Sequence, residues 1–191
     1  ARFCQFYGKY VMCTAREKHD VKSQEIGKKV MGAFSLMRKV LRAFREFENL
    51  RALRALLGSA GPNGFDVVQV VKLLKLVAGT LYLSSDHVSF AQKMGIYETK
   101  TSVGFVTDHF WTTETALGIV LNMLLLQRLD PSSKNYEAKR LVTLVSLVSG
   151  CIDMPVCLNS IGYLKRHPDK VFAMSMVVTS VLGMWKIWPT V

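Results

Sequence analysis

LMRKVLRAFREFENLRALRALL, residues 36–57, decides how this chain is read. Successive residues of an α-helix turn by about 100°, and on that wheel Leu36, Met37, Val40, Leu41, Ala43, Phe44, Phe47 and Leu50 share one face. Arg38, Lys39, Arg42, Arg45, Glu46 and Asn49 lie opposite. Such a helix can bury its apolar face at the headgroup boundary of a bilayer while its cations meet anionic phosphates, each basic residue contributing about 1 kcal/mol. Periodicity alone leaves a second reading open, in which the helix docks on the protein's own core and its Arg and Lys residues form a solvated face. After Leu50 the pattern slips: Arg51 and Arg54 rotate onto the apolar side, while Leu53, Leu56 and Leu57 rotate away from it. The clean unit is therefore 36–50, and a kink or separate packing is expected beyond it.

The rest of the chain fits a membrane setting. Of 191 residues 50% are apolar, yet Lys and Arg outnumber Asp and Glu by 25 to 14, a net charge of +11. That balance predicts an anionic partner, either nucleic acid or an anionic phospholipid membrane. The positive mean hydropathy and the lack of any stacking platform on a strand favour lipid over nucleic acid. Cys4, Cys13, Cys151 and Cys157 form no Cys-x-x-Cys pair, and no two His residues lie three to five apart. Reduced, buried thiols are expected, with no metal and no cofactor. The chain shows no Asn-x-Ser/Thr acceptor and no secretory signal, and Ala1 stands in a pattern already in progress, so further residues upstream are expected.

Turn chemistry divides the chain. Helical patterns run over 3–15, 23–57, 65–83 and 107–129, with a polar stretch at 16–25 and a short segment interrupted by Gly95. Residues 58–64, GSAGPNG, form the densest cluster of turn residues and read as a linker. They separate an N-terminal helical region, 1–57, from a hydrophobic helical region, 65–191. The latter ends in a hairpin with arms 141–164 and 171–188, both candidate spans, although Asp153 and Pro155 interrupt the first. Ser175, Thr179 and Gly183 recur every four residues, so that a second helix, through Ser146 and Gly150, or a second copy of the chain, can approach closely. Asp153 is an ionisable residue inside an apolar helix, which makes it a channel candidate. The alternative is an acidic residue at a helix start before Pro155 in a hairpin that never enters lipid. The fold class expected is all-α, a helical membrane protein with amphipathic helices and a C-terminal hydrophobic hairpin.

No catalytic residue stands out. In Asp86-His87 and Asp108-His109 the side chains of each pair diverge by about 100° on a helix, and no nucleophile motif accompanies them. The glycines of 58–64 lack the Gly-Lys-Ser/Thr ending of a phosphate-binding loop.

Six motifs in order give the chain a resemblance to a known family. They are Arg2-Phe-Cys-Gln-Phe-Tyr7; Arg38-Lys-Val-Leu-Arg42 followed by Phe47 to Leu53; Tyr82-Leu-Ser-Ser-Asp-His87 with Gly95-Ile96; Phe110-Trp111; Asp153-Met-Pro155; and Ser180-Val-Leu-Gly-Met-Trp-Lys-Ile-Trp-Pro189. Together the chain resembles the peroxin-11 family of peroxisome-proliferation proteins, with its glycosomal relatives, over nearly its whole length. His87 stands where the family usually has Asn, and Thr179 where it has the first Ser of its ending. The resemblance implies a non-enzymatic protein of the peroxisomal or glycosomal membrane that elongates the organelle through an amphipathic helix. Leu36, Met37, Val40, Leu41, Phe44 and Phe47 would form the wedge, and Arg38, Lys39, Arg42 and Arg45 the lipid-facing cations. It further implies homo-oligomers, a fission adaptor with a dynamin-like GTPase, and the peroxin-19 import receptor as partners, and metabolite conduction as an alternative role.

Overall fold

The computed structural model describes residues 1–42, 44–59, 64–96, 103–133, 135–164 and 169–187. The chain is 86% helical, without strands among those residues. Seven helices follow one another: α1 (Arg2–Glu17), α2 (Val21–Arg42), α3 (Arg45–Gly58), α4 (Val67–Lys93), α5 (Val103–Gln127), α6 (Tyr136–Ser160) and α7 (Asp169–Ile187). The expected polar stretch at 16–25 shrinks to a tight turn in which His19 is left-handed (φ 55°). The Asp20 carboxylate accepts from the Ser23 amide at 3.1 Å. The third expected helix continues ten residues past Leu83, and the chain turns at Gly95, whose positive φ of 71° suits glycine. At the start of α4 the Asp66 side chain accepts from the Val67 amide, while the Gln69 side chain accepts from the Asp66 amide at 2.9 Å. These two bonds form a capping box that satisfies orphan donors. Ala43, the linker centre 60–63, the hairpin turn 165–168 and Trp188 lie outside the described residues.

The helix expected over 23–57 is two helices. The break comes at Phe44, earlier than the phase slip at Arg51, and Phe44 adopts a left-handed conformation (φ 84°) immediately before α3. For a side chain with a Cβ this conformation costs about 1–2 kcal/mol, which the packing on both sides must offset.

The helices close into a ring: α1 packs on α2 and α7, α7 on α6, α6 on α5, and α5 on α4, which also meets α3 and α2. The tightest seam joins α1 to α2. A Cβ on Gly27 would lie 2.7 Å from the Met12 nitrogen, and one on Gly8 would lie 2.9 Å from that of Met31, so the two backbones touch only because both residues lack a side chain. This is the close approach that small residues permit between membrane helices.

The distribution of polarity is inverted relative to a water-soluble bundle. Lys39, Asp86, Ser89, Thr107, Thr179 and Ser180 are buried, whereas large apolar side chains on every helix are exposed. Among the described residues two helices, Val67–Gln92 and Tyr136–Ser160, are long and apolar enough to cross a membrane. Only 17% and 6% of their most apolar windows are buried, the opposite of a soluble core helix. The chain is a helical membrane protein, as expected. Val67–Gln92 is a candidate span that the sequence reading does not name, despite Lys72 and Lys75 within it, while the second hairpin arm, 171–188, runs into residues outside those described. Among the thiols, Cys13 and Cys157 are buried, Cys4 is half-buried, and Cys151 is exposed on the outer face of α6, contrary to the expectation that all four are buried; all are free.

Candidate functional site

Inside the ring the charged side chains converge. Arg2, at the first turn of α1, donates to Asp153 of α6 at 2.7 Å and to the Thr179 hydroxyl of α7 at 3.3 Å. Thr179 in turn donates to Asp153 at 2.8 Å. Three helices thus meet on one carboxylate. Asp153 lies mid-helix, two residues before Pro155, so the reading of it as a helix-start residue is corrected. Proline lacks the N–H that would bond the Cys151 carbonyl and loosens α6 beside the site.

A second cluster joins α2 to α4. Lys39, 7% exposed, pairs with Asp86 at 2.9 Å. Arg42 donates to the Tyr82 hydroxyl at 2.7 Å and stands 3.9 Å from Asp86. One turn earlier, Arg38 lies over the Phe6 ring of α1, 5.8 Å from its centre. Burial, and then the neighbouring charge of Arg42, hold its guanidinium below its usual pKa. His87 pairs with Glu46 of α3. Asp86 and His87 therefore diverge, as adjacent helical residues must, and each ties α4 to a different helix.

This arrangement corrects the expected roles of the basic face. Arg38, Lys39 and Arg42 turn toward the bundle rather than toward lipid headgroups, because Asp86, Tyr82 and Phe6 offer partners that a bilayer surface does not. Arg45 is exposed. The apolar side chains Leu36, Met37, Val40, Leu41, Phe44 and Phe47 face outward, each 45% to 75% exposed. Phe44 and Phe47 stack with ring centres 6.3 Å apart.

The small-residue face of α7 is also placed differently. Thr179 is buried against Asp153, Gly183 has open space where a Cβ would stand, and Gly150 faces Ile119 of α5. Ser146, Gly150, Thr179 and Gly183 line one space between α6 and α7, in which Thr179 reaches across to the Asp153 carboxylate. The close-packing glycines are Gly8 and Gly27, whose spacing along the chain gave no sign that they would meet.

Between the clusters lies a cavity of about 390 Å³, partly open to the outside, lined from α1 by Arg2, from α2 by Arg42, from α3 by Arg45 and Asn49, and from α4 by Lys75. Trp111 and Glu114 of α5, Ser149 and Asp153 of α6 and Thr179 of α7 complete the wall. Its volume falls within the range of about 300–1,000 Å³ of small-molecule pockets. No group of three or more His, Cys, Asp or Glu side chains is placed to hold a metal among the described residues.

A family model described as peroxisomal biogenesis factor 11 (PEX11) matches residues 1–188. No curated protein and no solved structure matches the chain.

Proposed function

We propose that this chain, which belongs to the peroxisomal biogenesis factor 11 family, remodels and elongates the organelle membrane by seating the outward apolar face of α2 and the start of α3 in one leaflet. Family membership makes it a membrane-associated factor of peroxisome biogenesis. The observation that carries the finer reading is the exposure of Leu36, Met37, Val40, Leu41, Phe44 and Phe47, the first four on one face of α2 and the last two stacked on each other. Exposed large apolar side chains clustered in this way mark an interaction site, and each such side chain fully withdrawn from water contributes about 1.5–3 kcal/mol. A wedge in one leaflet enlarges its area relative to the other, and the bilayer bends. In this reading Lys39 and Arg42 hold α2 to the bundle through Asp86, while the exposed Lys28, Lys29 and Arg54 meet anionic headgroups.

The test reconstitutes the full chain into anionic vesicles at fixed density and scores tubules by electron microscopy. Val40→Asp with Leu41→Asp should abolish tubulation while helicity is retained. Undiminished tubulation by that variant would sink the mechanism. Self-association and recruitment of a fission adaptor with its dynamin-like GTPase are proposed to follow insertion, after delivery by the peroxin-19 receptor.

A second reading, metabolite conduction, is favoured by the polar cavity inside a ring whose exterior is apolar. The conducting element is then the whole ring and not the 141–188 hairpin alone. Bilayer conductance that survives Val40→Asp/Leu41→Asp but is lost in Asp153→Leu supports it; conductance unaffected by Asp153→Leu removes it.

A further inference from the structure

The cavity holds more positive charge than its own carboxylates compensate. Arg2, Arg42, Arg45 and Lys75 line it, against Asp153 and Glu114. Asp153 is taken by Arg2 and Thr179, and Arg42 leans on Tyr82 and Asp86. Arg45, at the open mouth, and Lys75, deeper on α4, form no ion pair or hydrogen bond among the described residues. Glu114 lies within electrostatic reach of both, and of Arg42, but pairs with none of them directly. Lys75 is half-buried and Arg45 exposed at the mouth, so the two concentrate positive potential at the entrance, where an anion is favoured.

We propose that the cavity is a binding site for one phosphate-bearing anion held between Arg45 and Lys75. Arg45 offers the planar fork that suits phosphate oxygens, and Lys75 a point charge. Asn49 and Ser149 line the same space and supply uncharged donors. The volume of about 390 Å³ accommodates a small phosphorylated metabolite or a single phospholipid headgroup entering from the side. Glu114 is the competitor: its carboxylate shares both cations with the ligand, so the site releases what it binds. The proposal does not rest on membrane remodelling, because the site lies within a single chain and its occupancy is measured without a bilayer.

The experiment titrates the detergent-solubilised full chain by calorimetry with glycerol 3-phosphate and, separately, with dihexanoyl phosphatidic acid kept below its micelle concentration. Saturable binding of either probe with one site per chain is the expected result. Comparable affinity for both assigns a soluble anion; binding of the lipid alone assigns a headgroup. Lys75→Gln and Arg45→Gln should each weaken binding about tenfold or more. Arg51→Gln, on the exposed face of α3, should leave it unchanged. Glu114→Gln should tighten binding several-fold, a gain that a merely misfolded variant cannot give. Absence of saturable binding for both probes overturns the proposal. So does equal weakening by Arg51→Gln, which would mark general surface attraction, or weakened binding in Glu114→Gln at unchanged helicity.

Discussion

The end of α2 and the body of α3 are built from the same residue types, yet they are turned opposite ways. In α2 the cations Lys39 and Arg42 point into the bundle and Val40 and Leu41 point out; in α3 Arg51 and Arg54 are exposed and Leu56 is buried. Between them stands one left-handed residue, Phe44. A helical wheel separates an apolar from a charged face but does not say which is inside, because next to lipid the exterior is itself apolar and no hydrophobic force pulls Leu inward. The nearest carboxylate decides. Asp86 on α4 pulls the basic face of α2 inward, whereas Arg51 and Arg54 form no ion pair among the described residues.

The contrast breaks most completely at Asp86. Asp86→Leu leaves the Lys39 ammonium buried without a partner, an expected loss of about 3–5 kcal/mol, read as a lower denaturation midpoint by circular dichroism in detergent. Arg51→Gln and Arg54→Gln should each stay within about 0.5 kcal/mol of the parent. Equal losses in the two helices would abolish the distinction. Gly27→Leu is next: its side chain would drive α2 away from the Met12 and Gly8 backbone at about 1–3 kcal/mol, leaving α3 and α4 packed together. Loss of hydrogen-exchange protection confined to α1 and α2 checks it. A smaller effect separates geometry from insertion. Phe44→Gly relieves a left-handed strain of about 1–2 kcal/mol but adds the flexibility of glycine, about 0.5–1 kcal/mol, so stability should rise slightly or hold while vesicle tubulation falls. Smallest is the pH response of the α4–α5 boundary. The Arg128 guanidinium beside Asp66 holds its carboxyl below the usual range. A depressed carboxylate stabilises above its unfolded pKa and loses that contribution as pH falls through the folded one. The stability difference between the parent and Asp66→Asn should therefore be constant near neutrality and close in acid.

Much of this was legible in the sequence, and the failures share one cause. Six segments of helix, the amphipathic stretch at 36–50 and the odd carboxylate Asp153 follow from periodicity, turn residues and the rarity of charge in apolar runs. Partners far apart in the chain did not. Nothing local links Arg2 to Asp153 or Lys39 to Asp86, and a lone glycine such as Gly8 or Gly27 shows its purpose only when the other backbone is seen against it. The wheel reads the cations against headgroup phosphates and misses their inward turn, because nothing in 36–57 points to a carboxylate on another helix. The family resemblance, in contrast, rested on ordered motifs and did not need those contacts.

The contact of Gly8 with Gly27 has a mechanical consequence. Two backbones in contact cannot slide or rotate independently, so α1 and α2 move as one rigid plate with a fixed pivot near its middle. The outward side chains of α2 begin about 14 Å along the axis from that pivot, at 1.5 Å per residue, and Arg2 lies at the neighbouring end of the antiparallel partner. Were the outward face of α2 seated in a leaflet, as proposed, pressure on Leu36 and Leu41 would pass through that pivot to Arg2 and its contact with the Asp153 carboxylate.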